Sequence, residues 1–248
     1  MIRGGRRRAS APASLAPVPL ALLLALVAAP APAAAQGGKM GPVQARLGAA
    51  FDLAVPVGEF HDFVDTGAGV RGFGMLALDR SGVLGLRLDA SYVVYGHQTR
   101  RVPLSPTVPL IDVDVSTDNQ IMFGSLGPQL TFPIGPVRPF LRGGVGVSYF
   151  ATTSKARGTS SSGDFASTTN QDDLNFALEG GGGLWIHLGG SRTPIDLSLE
   201  ATYVHNGRAR YLRKESIVTH PDGSVTLNPV ESATNLVTFD VGLVFGIR

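Results

Sequence analysis

Charged residues recur in stretches where apolar residues alternate with small or polar ones. Within each stretch the charges share one face with Gly, Ser or Thr, and apolar residues occupy the other. Charges removed from water must pair and hydrogen-bond, or each costs several kcal/mol. The pattern predicts a buried network of ion pairs, and a narrow path for ions or solutes is the alternative. The ten residues are Arg46, Asp52, Arg87, Asp89, Arg138, Arg142, Glu179, Asp196, Glu200 and Asp240.

Catalysis by a side-chain nucleophile needs a base within hydrogen-bond reach, and the sequence shows no such pair. Cysteine is absent, which excludes a thiol nucleophile and disulfide bonds. His205 is followed by Asn206 and Gly207, with no serine beside it. The five histidines also lack the paired spacing of metal ligands. We therefore predict no enzymatic activity, no cofactor and no metal site.

A basic cluster follows the histidine-containing segment YVHNGRARY (203–211). It consists of Arg208, Arg210, Arg213 and Lys214. Guanidinium and ammonium groups form charge-assisted hydrogen bonds with phosphate oxygens, so the cluster could face an anionic surface. Ordinary solvated charges on a connecting segment are an equally good interpretation.

These charges must be positioned by extended segments, because apolar residues recur with a period of two and not at helical spacing. In the segment 84–94, Leu84, Leu86 and Leu88 share one face, while Arg87 and Asp89 share the other. The alternation predicts eight strands. The other seven are 43–53, 68–79, 119–132, 138–151, 173–188, 195–203 and 237–247. Four of these, 68–79, 119–132, 138–151 and 173–188, alternate less regularly and are richer in glycine.

The connections between these segments alternate strictly in length. Three are short: Asp79 to Gly82, Pro133 to Val137 and Gly189 to Pro194. Four are longer: 58–67, 97–118, 152–172 and 206–234. Long outer loops and short periplasmic turns in this order are typical of an eight-stranded antiparallel up-and-down transmembrane β-barrel with both ends in the periplasm.

Lysine usage distinguishes a membrane barrel from a soluble one, which also alternates but turns its polar face to water. After the first 35 residues the chain has only Lys39, Lys155 and Lys214, all outside the predicted strands. A water-facing exterior would be rich in Lys and Glu. The apolar face is therefore predicted to meet lipid.

The segment 152–172 is rich in Ser, Thr and Gly and is expected to be a mobile loop. Pro221-Asp222-Gly223 predicts a hairpin turn within 206–234.

Residues 1–35 have the features of a secretory signal peptide: Arg3 and Arg6 to Arg8, a short apolar run, and Ala33 to Ala35. The expected domains are the signal peptide, 1–35, and the barrel, 36–248. Four of the 21 basic residues and none of the 19 acids lie in the signal, which leaves 17 basic groups and a net charge of −2. The mature charge gives no indication of a nucleic-acid partner.

Aromatic residues fall near both predicted strand ends, as in the girdles that mark membrane–water interfaces. The outer group is expected to be Tyr92, Tyr95, Tyr149, Phe150 and Tyr203, and the periplasmic group Phe132 and Phe245.

Three segments resemble strands of the outer-membrane β-barrel domain family, which includes relatives of OmpA, OmpX and OmpW. They are LRLDASYVVYG (86–96), VRPFLRGGVGVSYF (137–150) and NFALEGGGGLWIHLGG (175–190). The resemblance covers most of 42–248 and implies location in the cell outer membrane. It implies contact with outer-membrane lipid and lipopolysaccharide, and with the barrel assembly machinery during biogenesis. We expect a monomer.

The function expected is structural or interactive, with the long outer segments presented to the outside. An OmpW-like narrow channel for small hydrophobic solutes is the alternative, and a lipid-modifying enzyme is a third. An eight-stranded barrel is just wide enough for side chains to fill its interior, which favours the first interpretation.

Overall fold

The computed structural model describes residues 44–105, 108–158, 164–212, 217–219 and 225–247. Within these ranges the chain forms twelve strands and one 3-10 turn, Gly58–Phe60. No helix in them is long and apolar enough to cross a bilayer. The strands are β1 (Ala45–Pro56), β2 (Gly67–Ala77), β3 (Leu84–Ser105), β4 (Val108–Thr131), β5 (Val137–Gly158), β6 (Asp164–Gly189), β7 (Ile195–Asn206), β8 (Arg208–Tyr211), β9 (Ile217–Thr219), β10 (Val225–Leu227), β11 (Val230–Ala233) and β12 (Leu236–Ile247).

Eight of these strands close into one antiparallel barrel. Strands β1 to β7 follow one another around the wall, and β12 lies between β7 and β1. The closing pair runs in register from Ala45 opposite Ile247 to Pro56 opposite Leu236. The predicted eight-stranded up-and-down barrel is confirmed. The predicted signal peptide lies outside the described residues.

The barrel has its apolar face outside and its charges inside. Phe51, Leu141 and Phe176 are each more than half exposed, whereas Arg87 and Asp196 are buried. Soluble domains bury apolar side chains and almost never bury unpaired charges. The inversion matches an exterior solvated by lipid, and it follows from the period-two alternation of each strand.

The short connections lie together at one end of the barrel, as predicted. In the β2–β3 turn, the two Asp79 carboxylate oxygens accept hydrogen bonds from the backbone amides of Leu84 (2.7 Å) and Ser81 (3.1 Å). Gly82 adopts φ 70° and Gly135, in the β4–β5 turn, φ 67°. Glycine adopts this backbone conformation without steric cost, which allows such tight reversals.

Two of the predicted long loops are wrong, because 97–118 and 152–172 continue the strands. Strand β3 stays paired with β4 from Gly96 opposite Asn119 to Ser105 opposite Val108. Strand β5 stays paired with β6 up to Arg157 opposite Asp164. We call these extensions, 96–105, 108–119, 152–158 and 164–171, the outer sheet. Polar and charged residues outnumber apolar ones in these segments, which hides the strands in the sequence although backbone pairing continues.

The segment 206–234 also contains paired strands. Strand β8 pairs with β11, and β9 pairs with β10. The β9–β10 pairing confirms the hairpin predicted around Pro221-Asp222-Gly223, while the turn residues themselves fall outside the described residues.

Five of the seven predicted girdle residues lie on the outer surface: Tyr92, Tyr149, Tyr203, Phe132 and Phe245. The prediction is wrong for Tyr95 and Phe150, which are buried inside the barrel. Tyr95 continues the inward series of Ser91 and Val93, and Phe150 continues that of Ser148. The direction of each ring therefore follows from the alternation of side chains between the two faces of its strand, and not from its position along the barrel.

Glycine 127 marks a close approach of two backbones in the wall. A Cβ at Gly127 would lie 1.9 Å from the Gly143 carbonyl oxygen, whereas at Gly124, on the same strand, the nearest atom would be 3.9 Å away.

We expect Gly127→Ala to lower the free energy of unfolding by roughly 1–3 kcal/mol, because a backbone oxygen cannot move aside cheaply. Gly124→Ala should be neutral or slightly stabilising. Urea titration of protein extracted from outer membranes into detergent, followed by heat-dependent electrophoretic mobility, checks both variants. Equal midpoints would contradict the prediction.

Candidate functional site

Three carboxylates form a row across adjacent strands inside the barrel. Asp52 on β1 lies directly opposite Asp240 on β12, which lies directly opposite Glu200 on β7. All three residues are buried, and Asp52 is fully so. Like charges at directly opposite positions repel. The row can therefore exist only where cations reach it.

Arg71 of β2 neutralises one end of this row. Its Nε donates to Asp240 Oδ1 at 3.1 Å, and its Nη2 donates to Thr238 Oγ1 at 3.1 Å and to Asp52 Oδ2 at 3.5 Å. The side chain of Arg71 is 1% exposed. One guanidinium thus bridges two carboxylates in a site shielded from bulk solvent, where charge-assisted hydrogen bonds are strong.

Arg87 and Arg142 neutralise the other end. Arg87 Nη2 donates to Glu200 Oε2 at 3.0 Å and to Asp89 Oδ1 at 2.8 Å. Arg142 contacts Glu200 through Nε and Glu179 through Nη1. The three arginines come from β2, β3 and β5, so several of these ion pairs join strands that are not neighbours in the wall. We call this set the central ion layer; its members are Arg71, Arg87, Arg142, Asp52, Asp89, Glu179, Glu200 and Asp240.

A second ion cluster lies nearer the short turns. Asp196 accepts hydrogen bonds from Arg46 Nη1 at 2.7 Å and from Arg138, and its Oδ1 lies 3.0 Å from His187 Nδ1. The Arg46 guanidinium carbon lies 4.7 Å from the Trp185 ring centroid, a cation–π contact. Asp196 is fully buried, so its charge is balanced within the protein.

All ten charged residues expected to face the interior point into the lumen, although Arg138 keeps 16% of its side chain exposed. The structure places seven of them in the central ion layer and three, Arg46, Arg138 and Asp196, in the second ion cluster. Sequence reasoning missed Arg71, which lies at the centre of the central ion layer. Its strand, GVRGFG, lacks clear alternation because small residues occupy both faces. The pattern that indicates its direction is the two-residue spacing of Arg71, Phe73 and Met75, which all face inward.

An apolar layer lies in the lumen above the central ion layer. Phe60, from the 3-10 turn after β1, is fully buried with its ring edge-on to Tyr95, Phe150 and Tyr211 at centroid distances of 5.9, 6.2 and 5.2 Å. Edge-to-face pairs add stability beyond area burial. We call this layer the outer plug; its principal members are Phe60, Tyr95, Phe123, Phe150, Tyr211 and Leu236.

The outer plug is held in place by polar contacts at the rim. Glu59 Oε2 lies 3.3 Å from Arg208 Nη1 and accepts a hydrogen bond from the Ala233 amide at 3.2 Å. Arg208 and Arg210 also pair with Glu231, at 3.3 and 3.6 Å. Two members of the predicted basic cluster therefore have carboxylate partners. Arg213 and Lys214 lie outside the described residues.

Among the described histidines, His97 lies beside both a hydroxyl and a carboxylate: its Nε2 is 3.2 Å from Thr99 Oγ1, and its Nδ1 is 2.6 Å from Asp118 Oδ1, at an exposed position on the outer sheet. His205 is on the outer surface of β7, whereas Ser91 is buried in the lumen. His97 and His187 each face an aspartate, Asp118 and Asp196. In the part of the chain that the structure describes, no three His, Asp or Glu side chains converge as a metal site would require.

Comparison with known proteins places these features in context. The family model described as "Outer membrane protein beta-barrel domain" matches residues 20–222. No curated protein is significantly similar to the chain.

Among solved structures, one similar chain is Ail, the attachment invasion locus protein of Yersinia pestis, in complex with the heparin analogue sucrose octasulfate. It shows 9% identity and a TM-score of 0.42, with 83% of this chain and 99% of that chain covered. Neisserial surface protein A shows 12% identity and a TM-score of 0.40, covering 82% and 96%. A major outer membrane protein from Thermus thermophilus shows 14% identity and a TM-score of 0.40, covering 80% and 99%. Similarity at this level gives no basis for assigning the ligand of any of these proteins to the present chain.

The coupling across the central ion layer is testable. Arg71→Met should lower the free energy of unfolding by about 3–5 kcal/mol, because it leaves buried carboxylates unpaired. Adding Asp240→Leu should recover part of that loss, so that the double variant is more stable than the two single losses predict. Urea unfolding in detergent measures all three variants.

A matched control is Arg101→Gln, which removes an exposed arginine 3.1 Å from Asp114. Exposed pairs contribute at most about 1 kcal/mol, so its midpoint should barely move. Strictly additive losses for Arg71→Met and Asp240→Leu would show that the two side chains are not energetically coupled.

Proposed function

The chain belongs to the outer membrane protein beta-barrel domain family, and from that premise we propose that it is a non-enzymatic barrel with a structural and surface-interaction role. The protein is located in the cell outer membrane. The observation that carries the proposal is the lumen, which is filled by the central ion layer and the outer plug. A barrel whose interior is occupied in this way can contact partners only through its outer surface and its outer sheet.

A filled lumen supports this role over solute transport. A channel needs a continuous path, and general porins have sixteen or more strands. Here arginines from three strands cross to carboxylates on other parts of the wall, and Phe60 covers them. A path for a hydrophobic solute would have to break the outer plug and then pass charges that are unfavourable neighbours for apolar groups.

The outer sheet supports the interaction role. It is a four-stranded extension whose pairing continues for about ten residues beyond the barrel wall on β3 and β4. Extended backbone rises about 3.3 Å per residue, so the sheet stands well above the lipid. Its polar side chains, among them Thr99, Ser116 and Lys155, are suited to an aqueous or saccharide environment.

We also infer the partners and the assembly state. Outer-membrane lipid surrounds the apolar wall, and lipopolysaccharide phosphates are the proposed partners of Arg208, Arg210, Arg213 and Lys214, where they compete with Glu59 and Glu231. The barrel assembly machinery is the proposed partner during biogenesis. Pairing of β1 with β12 leaves no free strand edge in the wall that the structure describes, which supports a monomer.

Planar-bilayer recording tests the structural role against transport. We expect no discrete conductance from the wild-type protein, and none from Phe60→Ala, because the central ion layer remains beneath the outer plug. A sixteen-stranded porin in the same bilayers serves as the positive control. Steady conductance steps from the wild-type protein would contradict the proposal and favour the channel.

Surface presentation is testable because the chain contains no cysteine. A membrane-impermeant maleimide should label Thr168→Cys, in the outer sheet, on intact cells. Ser81→Cys, in the β2–β3 turn, should react only after the outer membrane is permeabilised. Both residues are exposed on the protein. A difference in their labelling therefore reports only the side of the membrane on which each residue lies. Labelling of Ser81→Cys on intact cells would reverse the proposed orientation.

A further inference from the structure

A polar pocket of about 390 Å³ lies on the outer sheet. Three adjacent strands contribute to it: His97 and Thr99 from β3, Asp114, Ser116 and Asp118 from β4, and Lys155 and Arg157 from β5. We propose that this pocket binds a phosphorylated sugar of the lipopolysaccharide core in the surrounding leaflet. The proposal rests on the surface orientation of the outer sheet argued above and adds a defined binding site.

The pocket faces sideways from the barrel, not into it. On β4, Asn119 is buried within the barrel and accepts a hydrogen bond from Thr152. Successive residues alternate between faces, so Asp118, Ser116 and Asp114 point outward. Gln120 continues this outward series and accepts a hydrogen bond from the Tyr92 hydroxyl at 2.7 Å.

The position of Tyr92 sets the height of the pocket. Tyr92 belongs to the aromatic group expected at the membrane interface, and His97 follows five residues later along β3. Five residues correspond to about 16 Å of extended strand. The outward face changes from apolar below Tyr92 to polar at the pocket, so the pocket lies where lipid headgroups and core sugars replace acyl chains.

The charges of the pocket favour an anion. Asp118 lies 2.6 Å from His97 Nδ1, and Asp114 lies 3.1 Å from Arg101 Nε, so both carboxylates have cationic partners or donors. Lys155 has no carboxylate partner among the described residues. Its ammonium group is available to pair with a phosphate from outside the protein.

The neighbouring side chains favour a sugar over a bare anion. Thr99 lies opposite Ser116, and Ser116 lies opposite Lys155. The Thr99 and Ser116 hydroxyl oxygens are 2.9 Å apart. This row of two hydroxyls and one ammonium can exchange hydrogen bonds with sugar hydroxyls while pairing with one charge. Among the described residues, no aromatic or aliphatic side chain lines the pocket, unlike the largely apolar sites that bind drug-sized molecules.

A membrane-tethered ligand suits such a site. A shallow polar pocket binds a free saccharide weakly, because each hydrogen bond replaces one to water. Lipopolysaccharide held in the same leaflet is present at a high effective concentration, which compensates for low intrinsic affinity. The sideways orientation presents the pocket to that ligand.

Calorimetric titration tests the proposal with protein extracted from outer membranes and exchanged into lipopolysaccharide-free detergent. The probe is the deacylated, phosphorylated core oligosaccharide, compared with the same oligosaccharide after dephosphorylation and with inorganic phosphate. We expect saturable binding of the phosphorylated probe, weakened by salt, and at least tenfold weaker binding of the other two.

Lys155→Gln should weaken binding of the phosphorylated probe at least tenfold. Arg80→Gln, which removes an exposed positive charge from the β2–β3 turn, should leave it unchanged. Heat-dependent mobility shows that each variant is folded. Equal binding by Lys155→Gln, no saturable binding by the folded wild-type protein, or equal binding of a sulfated oligosaccharide unrelated to lipopolysaccharide would overturn the proposal. Failure here with surface labelling of Thr168→Cys intact would leave the proposed function standing.

Discussion

The fold depends on charges that are buried away from water and can be balanced only across the barrel. Asp52, Asp240 and Glu200 lie side by side on three neighbouring strands and would repel one another. Their cations come from β2, β3 and β5, and the contact between Arg71 and Asp240 joins residues 169 positions apart. That contact forms only when β1 meets β12. Barrel closure and the pairing of these charges therefore depend on each other.

The same constraint directs function outward. An interior that must hold eight charged side chains in its central layer has little room for a solute, and the outer plug adds an apolar cover. Among its described residues the outer sheet holds no comparable layer of buried charges. Variation there costs little stability, which is why binding surfaces are commonly built on extensions of rigid scaffolds.

Sequence patterns predicted the wall well and the extensions poorly. Alternation identified β3, β7 and β12 because one face meets lipid and the other meets charge. The same test failed at 97–118 and 152–172, where polar and charged residues outnumber apolar ones although backbone pairing persists. Tyr95 and Phe150 were misplaced because their position near a rim suggested a girdle, whereas their parity on the strand points them inside. Arg71 was missed because glycines surround it on both faces.

By itself the sequence determined the class of fold, the number of wall strands, the outward apolar face and the set of ten charges that face inward. Those properties depend on the period of two and on the order of short and long connections, which are local. Only the tertiary structure decided which charges pair, since partners come from strands distant in the chain. It also decided that Phe60 packs inside the lumen against three aromatic rings and that Thr99, Ser116 and Lys155 share one pocket, because strand register is set by the closed barrel as a whole.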